Sequence, residues 1–534
     1  MSWILAVDLG NGGPKVAAVR PDGTVLATAF TPVSVDIRLD GTATQDAAEW
    51  EVALRDTVAQ VTGHVDPSEV EAIGITGQWG STVPVGHDGR PAGPVLLWSD
   101  TRARAEAQRL VGGRLSVGGY APHKVLPWIR VTGGVPSPSG ADPTGHSLLL
   151  NGPLRDIGRR CAVLLEPVDY LGFLFTGVAR ATPASMTASW LTDNHIGAPA
   201  RYVDDLVRRA ERRRELLPEL VPTGSMQGTL QEAPARHLGL PAGIPVACGI
   251  SDLHAAILGS GTVGPYETHL AVSTTAWLSA RVPFKRTDVL HSIATLPGLD
   301  PQMNVVGDNI ETAGAALTWL REQIIAPDDG LAGVGSGIGA DGAAPLYEQP
   351  TYEALTELAA GAPPGCEGLI FTPWLAGERS PVEDKHLRAA FLNMSLRTDR
   401  AMMVRAVLEG VALNIAWLFG YYQKFLRRPV HSIRVLGGGA RSDLWCAILA
   451  ATLNRELQRV ADPLNAQLRG VALWTRVCRG ELSLEQAAAL VPVERSFVPD
   501  PHDSAVYADR LSQYRGLYGT LRDFYRKINS AGAR

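Results

Sequence analysis

The sequence predicts an α/β protein with two similar halves, and three observations support that prediction. A strand that starts near residue 3 ends on Asp8 and turns through a glycine-rich loop into a second strand. A later apolar strand ends on Asp252 and is followed by a strand–turn–strand with a polar bend at residues 273–275. The chain has 534 residues, which is too long for one hydrophobic core and indicates two to four domains.

In the first half, short apolar runs alternate with turn residues. Strands are predicted over residues 3–7, 15–20, 24–30 and 70–76. A helix is expected over about residues 46–61, with Asp46 and Glu49 forming a capping box at its start. Strands on both sides of such a helix are typical of an α/β unit rather than of a helical bundle.

The rest of the chain also combines strands, helices and polar loops. The expected elements are a loop at 133–146, a charged helix at 204–217, a strand at 243–252, a strand–turn–strand at 268–282, a mobile surface loop at 326–346, a long helix at 398–425, and a strand, glycine loop and helix at 432–453. The glycine loop offers free backbone N–H groups to an anion or nucleotide, although it is equally typical of close helix–strand packing. Polar loops between paired strands in both halves suggest a duplicated domain with two phosphate loops facing one cleft.

Composition and charge exclude several classes of function. The net charge of -5 gives no basic surface for nucleic acid or an anionic membrane. Five scattered cysteines without a CxxC pair indicate reduced thiols rather than disulfides or a zinc site. The N-terminus lacks the basic region of a signal peptide, and the apolar segment near 411–422 is predicted to be too short to span a bilayer. We therefore expect a cytoplasmic protein without a nucleic-acid or membrane partner.

Nine motifs, in order along almost the whole chain, resemble those of the FGGY carbohydrate kinases, which belong to the actin/Hsp70/hexokinase-like ATPase superfamily. These motifs are DLGNGGPK (8–15), GQWG (77–80), LLWSDTR (96–102), DYLGFLFTG (169–177), GISD (249–252), AGAALTWLRE (313–322), PWLAGERSP (373–381), RAVLEGVA (405–412) and LGGGARSDLW (436–445). Within the family, the sequences of these motifs are most similar to those of xylulokinases. The sequence has no GxxxxGK[ST] loop, so its nucleotide chemistry is not of the P-loop kind.

The resemblance implies two ribonuclease H-like (actin-like ATPase) domains with an active-site cleft between them. The expected domains are residues 1–247, with the sugar side and the first phosphate loop, and residues 248–534, with the nucleotide-binding side and a C-terminal helical tail. The implied reaction is ATP-dependent phosphorylation of a small sugar, with a pentulose such as D-xylulose as the leading substrate. ATP, Mg²⁺ and the sugar are then the small-molecule partners, and a homodimer is left open.

Two aspartates receive chemical roles from the resemblance. Asp252 matches the catalytic base, which orients the sugar hydroxyl and accepts its proton as the γ-phosphoryl group departs. The alternative is that Asp252 only caps the helix that follows it. Asp8 would lie near Mg²⁺ and contact it through water, because Mg²⁺ keeps several of its waters.

The resemblance also assigns residues to ATP. The first and second loops would hold the β- and γ-phosphates from opposite walls through Asn11, Gly12, Lys15, Ser273 and Thr274. Positions along ADP match residues with little or no side chain, which would leave room for the base and ribose: Gly314, Gly438, Gly439 and Ala440. Asp443 would reach the adenine or ribose, unless it is simply an acid in the first turn of a helix.

The sugar side matches Gln78, Trp79 and Asp100. Asp100 could accept two sugar hydroxyls, and Trp79 could stack on an apolar sugar face, although tryptophan is more often part of a core. Glu378 and Arg379 are expected to form a buried ion pair that braces the cleft.

Several departures from the family pattern keep other functions open. The family usually has Thr and Ser where this chain has Asn11 and Gly12, and xylulokinases usually have Met-His where it has Trp79-Gly80. One alternative is a catalytically impaired sugar- or nucleotide-binding protein of the same fold, and another is a kinase for a different ketose or polyol. A filament-forming actin-like protein is disfavoured, because the GERSP and RAVLEG segments belong to the kinase branch.

Overall fold

The structure is a computed structural model that describes residues 2–112, 120–327 and 349–529. Its strands are β1 (Trp3–Gly10), β2 (Gly13–Val19), β3 (Val25–Phe30), β4 (Asp36–Ile37), β5 (Ala43–Gln45), β6 (Val70–Gly77), β7 (Val83–Gly86), β8 (Val95–Leu96), β9 (Cys161–Leu165), β10 (Arg180–Ala181), β11 (Glu219–Leu220), β12 (Met226–Thr229), β13 (Pro245–Ala247), β14 (Ile250–Ser251), β15 (Thr268–Val272), β16 (Ala276–Val282), β17 (Thr287–Asp288), β18 (Ile293–Pro297), β19 (Asn304–Gly307), β20 (Ile370–Thr372), β21 (Ala390–Leu392), β22 (Ser432–Leu436), β23 (Glu456–Val460) and β24 (Val493–Phe497).

The helices lie in the connections between these strands and pack around the sheets. They are α1 (Ala47–Thr62), α2 (Arg104–Val111), α3 (Pro122–Val131), α4 (Pro143–Asn151), α5 (Arg155–Arg160), α6 (Pro167–Thr176), α7 (Asp204–Arg209), α8 (Glu232–Leu238), α9 (Asp252–Ser260), α10 (Gly314–Leu320), α11 (Tyr352–Ala360), α12 (Arg400–Leu426), α13 (Asp443–Leu453), α14 (Ala466–Cys478), α15 (Leu484–Ala489) and α16 (Pro501–Asn529). Short 3₁₀ turns lie at Gly438–Arg441 and Pro463–Asn465, beside the candidate site.

Two large sheets repeat one pairing pattern, which confirms the predicted α/β fold and the similarity of its halves. In the seven-stranded sheet, β1 pairs antiparallel with β2 and parallel with β6. In the eight-stranded sheet, β15 pairs antiparallel with β16 and parallel with β22. Each sheet therefore presents one hairpin loop beside the carboxyl end of a parallel strand.

Helices α9 and α14 pack together between the two sheets. A Cβ atom at Gly259 would lie 2.0 Å from the carbonyl oxygen of Ala466, and one at Gly470 would lie 2.0 Å from that of Ala255. The glycines therefore let the two helix backbones approach closely. One apolar cluster joins these helices to strands of both sheets, so the halves share a core at their junction.

Most predicted elements are present, with bounds that differ by a few residues. The predicted charged helix over 204–217 is too long, because α7 ends at Arg209 and the backbone at Glu211 turns into the left-handed region at φ 53°. The predicted strand over 243–252 divides into β13 and β14, and the predicted loop over 133–146 ends where α4 begins at Pro143. Most of the predicted loop over 326–346 lies outside the described residues.

The start of α1 departs from the predicted capping box. The Asp46 side chain caps the helix by accepting from the backbone N–H of Ala48 at 2.9 Å. Glu49 instead accepts from the backbone N–H of Ser34 at 2.9 Å, which fastens the segment before the helix.

The prediction of a domain boundary after residue 247 stays a prediction. Strand β14 follows that point in the chain, and its Ile250 and Ser251 pair with β6 of the first sheet.

Helix α12 corrects the expectation that its apolar segment is too short to span a bilayer. The helix has 27 residues and is apolar enough over an 18-residue window, but 89% of that window is buried inside the protein. It also carries the buried ion pair of Arg405 and Glu409 at 2.8 Å, and the Tyr507 hydroxyl of α16 donates to Glu409. These contacts are those of a core helix.

Candidate active site

The first candidate phosphate loop is the tip of the β1–β2 hairpin. Asp8 lies opposite Lys15 in the antiparallel register, and Asn11 and Gly12 are exposed at the tip. Gly13 has φ 134°, and a Cβ atom there would lie 2.2 Å from the carbonyl oxygen of Thr31. Glycine is therefore needed at position 13 by the protein's own chain, whereas Gly12 faces open space apart from one contact at 3.7 Å.

Two carboxylates meet at the edge of the first sheet. Because β1 and β14 both run parallel to β6, Asp8 near the end of β1 and Asp252 directly after β14 lie at the same edge. Burial raises the pKa of Asp8 to about 6, while Lys15 lowers it. Burial also raises the pKa of Asp252 to about 7, and the charge of Asp8 adds to that increase. The effect of the Asp8 charge on Asp252 agrees with their positions at one sheet edge.

Asp252 is not the residue that caps α9. The N-cap is Ser251, and Asp252 is the first residue of the helix itself. Its Oδ1 accepts from the adjacent backbone N–H of Leu253 at 2.8 Å, and its carbonyl oxygen accepts from Nε2 of Gln467 at 3.4 Å. The helix thus holds the backbone of Asp252, and within the described ranges no other residue donates a hydrogen bond to Oδ2.

The second candidate loop joins β15 to β16 and is held by backbone hydrogen bonds, both within the loop and from the start of α10. The backbone N–H of Ser273 donates to the carbonyl of Thr275 at 2.9 Å. The carbonyl oxygens of Ser273 and Thr274 accept from the backbone N–H groups of Gly314 at 2.7 Å and Ala313 at 2.9 Å. Thr274 is exposed and Ser273 is half-buried, and the Ser273 hydroxyl lies beside Gly437 of the glycine loop, 2.9 Å from where a Cβ atom of that residue would stand.

The predicted nucleotide residues surround this second loop, but most of their small side chains serve packing. A Cβ atom at Gly314 would lie 2.5 Å from the carbonyl oxygen of Ser273, and one at Gly439 would lie 2.5 Å from Cγ1 of Val272. Ala440 is fully buried. Only Gly438 faces space, with its nearest neighbour 3.9 Å away. Of these four positions, Gly438 is the one that faces open space, and the contact of all four with a nucleotide stays a prediction.

Asp443 lies in the first turn of α13, where two arginines hold its carboxylate. Arg459 donates to Oδ1 at 2.7 Å, and Arg495 donates to Oδ2. The carboxylate is half exposed. This ion pairing agrees with a structural role in the first turn of the helix, and the contact of Asp443 with adenine or ribose stays a prediction.

The 3₁₀ turn before α14 contacts strand β2 and the glycine loop before α13, and it was not predicted from the sequence. Lys15 Nζ donates to the carbonyl oxygen of Leu464 at 2.9 Å, and the backbone N–H of Gly437 donates to that of Pro463 at 2.9 Å. Burial lowers the pKa of Lys15, whereas Asp8 and Asp462 raise it. Lys15 therefore links strand β2 of the first sheet to this turn in the second half.

The segment at residues 78–80 lies beside the first loop. Gln78 is buried and accepts from Oγ of Ser81 at 3.1 Å, while Trp79 is partly exposed and packs on the apolar cluster between the halves. Gly80 has φ 82°, and its backbone N–H donates to Oε2 of the buried Glu166 at 2.8 Å. The positive φ explains glycine at this position.

Asp100 does not offer the free carboxylate that we expected for sugar hydroxyls. It is fully buried and pairs with Arg102, whose Nη2 lies 2.6 Å from Oδ2. The backbone N–H groups of Arg102 and Ala43 also donate to Asp100. Because the carboxylate is already saturated, the partly exposed guanidinium of Arg102 is the polar group that this segment presents.

The expected ion pair between Glu378 and Arg379 is wrong. Glu378 is fully buried and accepts from the backbone N–H groups of Glu311 and Arg379, and from Nδ2 of Asn414. The Arg379 side chain instead pairs with Glu311 at 3.0 Å. Burial raises the pKa of Glu378 to about 7, which fits a role as a structural acceptor.

Two family models match this chain. The N-terminal domain of the FGGY family of carbohydrate kinases matches residues 3–115, and the C-terminal domain of the same family matches residues 267–477, together more than half of the chain. The chain belongs to the FGGY family. It is therefore a carbohydrate kinase, and the family implies ATP as the phosphoryl donor.

Relatives of this FGGY kinase carry more than one substrate name. It is 24% identical to the xylulose kinase of Staphylococcus epidermidis over 96% of both chains, and 22% identical to the gluconokinase of Bacillus subtilis over 99% and 98%. The structure of a xylulose kinase from Lactobacillus acidophilus matches with a TM-score of 0.82 at 19% identity, covering 99% of this chain and 100% of that one. The structural match confirms the two-domain FGGY fold.

Three residues of this FGGY kinase escaped prediction for different reasons. Gln45 contacts Asn11 in the first loop and Gln78 in the segment at 78–80, yet nothing in its local sequence indicates a functional residue. Leu464 acts through its backbone carbonyl, which no side-chain pattern reveals. Arg102 stands in the LLWSDTR motif, but the motif does not show that Arg102 pairs with Asp100 two residues earlier.

Proposed function

We propose that this FGGY protein transfers the γ-phosphoryl group of ATP to a hydroxyl of a neutral ketose or polyol, with D-xylulose as the leading substrate. The observation that carries the proposal is the pair Asp8 and Asp252 at one sheet edge, beside loops from both halves. The names of the xylulose kinase relatives support the choice of sugar without deciding it.

In the proposed reaction, Asp252 is the general base. Its free carboxylate oxygen accepts a hydrogen bond from the sugar hydroxyl, orients it toward the γ-phosphorus and takes its proton as the phosphorus–oxygen bond to ADP breaks. Burial raises the pKa of Asp252 to about 7, which makes the carboxylate a better proton acceptor near neutral pH than an exposed aspartate.

The phosphates of ATP would lie between the two loops. Asn11 and Gly12 present the first hairpin tip, Ser273 and Thr274 present the second, and Lys15 supplies positive charge at their junction. Gly438 leaves space on the nucleotide side. Hydrogen-bond donors aimed at the transferring group stabilise the charge that develops on its oxygens.

The residues present fit a divalent cation such as Mg²⁺. Among the described residues, no hydrogen-bond donor contacts the Asp8 carboxylate, which lies near a second acid. Asp8 would hold the cation, directly or through water, and Lys15 supplies positive charge nearby. The cation, when bound, neutralises charge on the phosphate oxygens.

Charge pairing favours a neutral sugar over an aldonate such as gluconate. Arg102 is paired with Asp100, and Arg379 is paired with Glu311, both of which are buried carboxylates. Arg379 also influences the pKa of Tyr120 in the first half, so it faces the junction of the halves. A substrate carboxylate would have to compete with these acids, whereas a hydroxyl group would not.

Location and assembly complete the proposal. All five cysteines are free, which fits a reducing cytoplasm. A homodimer stays a prediction, and light scattering at several protein concentrations would test it.

The experiment is a coupled ADP-release assay with ketoses, aldoses, polyols and aldonates. We expect the highest rate with D-xylulose and lower rates with related neutral sugars. Preferential reaction with gluconate would contradict the proposed substrate class, and ADP release with none of the compounds would favour a catalytically impaired binding protein.

A further inference from the structure

Gln45, at the end of β5, is a buried glutamine whose whole amide group is used. It is 4% exposed, although it lies beside an exposed loop. Its Nε2 donates to the carbonyl oxygen of Asn11 at 2.8 Å. Its Oε1 accepts from Nε1 of Trp50 at 3.3 Å and from Nε2 of Gln78 at 3.4 Å.

These partners belong to two different parts of the site. Asn11 is at the tip of the first phosphate loop, and Gln78 is in the segment assigned to the sugar. Gln78 continues the chain of contacts, because its Oε1 accepts from Ser81 Oγ and that oxygen accepts from the backbone N–H of Trp98. The hydrogen bonds therefore run unbroken from the phosphate loop to the sugar side.

We propose that Gln45 is a positioning residue that couples the phosphate loop to the sugar-binding segment. This inference rests on the proposed function, since that function assigns the two segments to ATP and sugar. The physical basis is the planar amide, whose donor and acceptor are fixed relative to each other. A shift of Asn11 that rotates the amide also moves the acceptor away from Gln78.

The coupling predicts that nucleotide binding at the first loop affects the sugar-binding segment. When a nucleotide fixes the first loop, the Gln45 amide is fixed with it, and the segment at 76–82 loses freedom before any sugar binds. The two ligands should therefore strengthen each other's binding, since an interaction between two sites is reciprocal. A residue that only filled space would give no such response.

Hydrogen–deuterium exchange with Mg²⁺ and AMP-PNP, without sugar, measures this response. In the wild type we expect AMP-PNP to slow exchange in a peptide over 436–442, which reports binding on the nucleotide side, and also in a peptide over 76–82. In Gln45→Leu we expect the protection over 436–442 to remain and the protection over 76–82 to be lost.

Two further variants separate coupling from folding. Gln45→Glu keeps an acceptor for Trp50 and Gln78 but replaces the donor to Asn11, so it should lose the coupling while preserving the packing. If Gln45→Leu does not fold, Gln45→Glu alone tests whether Gln45 couples the two segments. The matched control is Gln227→Leu, because Gln227 is a buried glutamine in β12 whose partners are Val178 and Cys248. The control should keep protection in both peptides.

A second readout uses both ligands. The factor by which D-xylulose strengthens AMP-PNP binding should fall by roughly two- to tenfold in Gln45→Glu, as expected for one lost hydrogen bond. The inference is overturned if 76–82 is protected equally in the wild type and both Gln45 variants, or if the wild type protects 436–442 only. Absence of protection at both peptides in the wild type would contradict the proposed nucleotide site and the coupling together, whereas a different preferred sugar would contradict only the proposed substrate.

Discussion

At the residue scale, the chemistry depends on two acids whose environment changes their behaviour. Asp8 and Asp252 share one sheet edge, with Lys15 as the neighbouring cation. Burial disfavours the charged forms of both, and the negative charge of Asp8 also makes Asp252 harder to ionise. An aspartate of ordinary pKa would be a weak base at neutral pH. Asp252 is a stronger base because its pKa is raised to about 7.

The pH dependence of kcat/KM follows from Asp252. A general base is active when deprotonated, and the pKa of this carboxyl is raised to about 7. We therefore expect kcat/KM to decrease as the pH falls below about 7, approaching a tenfold decrease per pH unit, and to level off above it. A pH profile with a saturating coupling system checks this expectation. A flat profile down to about pH 5 would mean that the base is another group.

Trp79 provides a residue-scale test of the sugar side. Trp79→Ala removes a partly exposed aromatic surface, so KM for D-xylulose should rise by roughly three- to tenfold. KM for ATP serves as the internal control and should stay nearly constant, because the phosphates are assigned to the loops. Steady-state kinetics with both substrates varied provides the measurement, and an unaltered sugar KM would remove Trp79 from the sugar site.

Side chains at the ends of strands could be predicted from the sequence, whereas their partners could not. Asp8 and Asp252 follow apolar strands, and that position alone places them at a sheet edge. The saturation of Asp100 by Arg102 depends on how the loop closes, and local spacing does not determine it. Leu464 contacts Lys15 from 449 positions away through a backbone atom, so no side chain in the sequence marks that contact.

At the scale of elements, the glycine loop before α13 combines packing with binding. Gly439 lies against Val272 and Trp445, which are both buried, while Gly438 faces space near Leu464. The sequence predicts the loop and the helix after it correctly. It cannot say which glycine serves which purpose, because both look identical in a run of three.

A pair of alanine variants distinguishes the two glycines. Gly439→Ala places a Cβ atom 2.5 Å from Val272 and should lower the free energy of unfolding by about 1–3 kcal/mol. Gly438→Ala should leave stability unchanged and raise KM for ATP. Thermal unfolding and ATP kinetics on both proteins provide the comparison. Equal melting temperatures would contradict the packing role of Gly439, and an unchanged KM would contradict the nucleotide role of Gly438.

At the scale of the whole molecule, the two sheets meet through α9 and α14, and contacts on both sides of that junction cross between the halves. Lys285 donates to the carbonyl oxygens of Ile129 and Arg130 at 2.6 and 2.8 Å, and Lys15 donates to Leu464. The repeated pairing of the sheets could be predicted from two strand–loop–strand patterns. The packing of α14 against the first sheet could not, since α14 lies about 400 residues beyond its partners in the chain.

Closure of the halves is the expected response to both ligands. Phosphoryl transfer to a sugar requires that water is kept away from the γ-phosphorus, and domain closure achieves this. The radius of gyration from small-angle scattering should therefore be smaller with D-xylulose, Mg²⁺ and AMP-PNP than without ligands. The same radius under saturating conditions would argue against a cleft that closes on its substrates.

The most direct test of the central claim is the rate of sugar-dependent ADP release by Asp252→Asn. The account predicts that kcat falls by at least about 10², because the proton acceptor is lost, while nucleotide affinity changes little. Asp308→Asn is the matched control, since burial also raises the pKa of the half-buried Asp308 to about 8. Among the described residues its Oδ1 accepts from the backbone N–H of Leu278 at 2.9 Å, and kcat of this variant should stay near that of the wild type. Wild-type turnover in Asp252→Asn would contradict the assignment of Asp252 as the base.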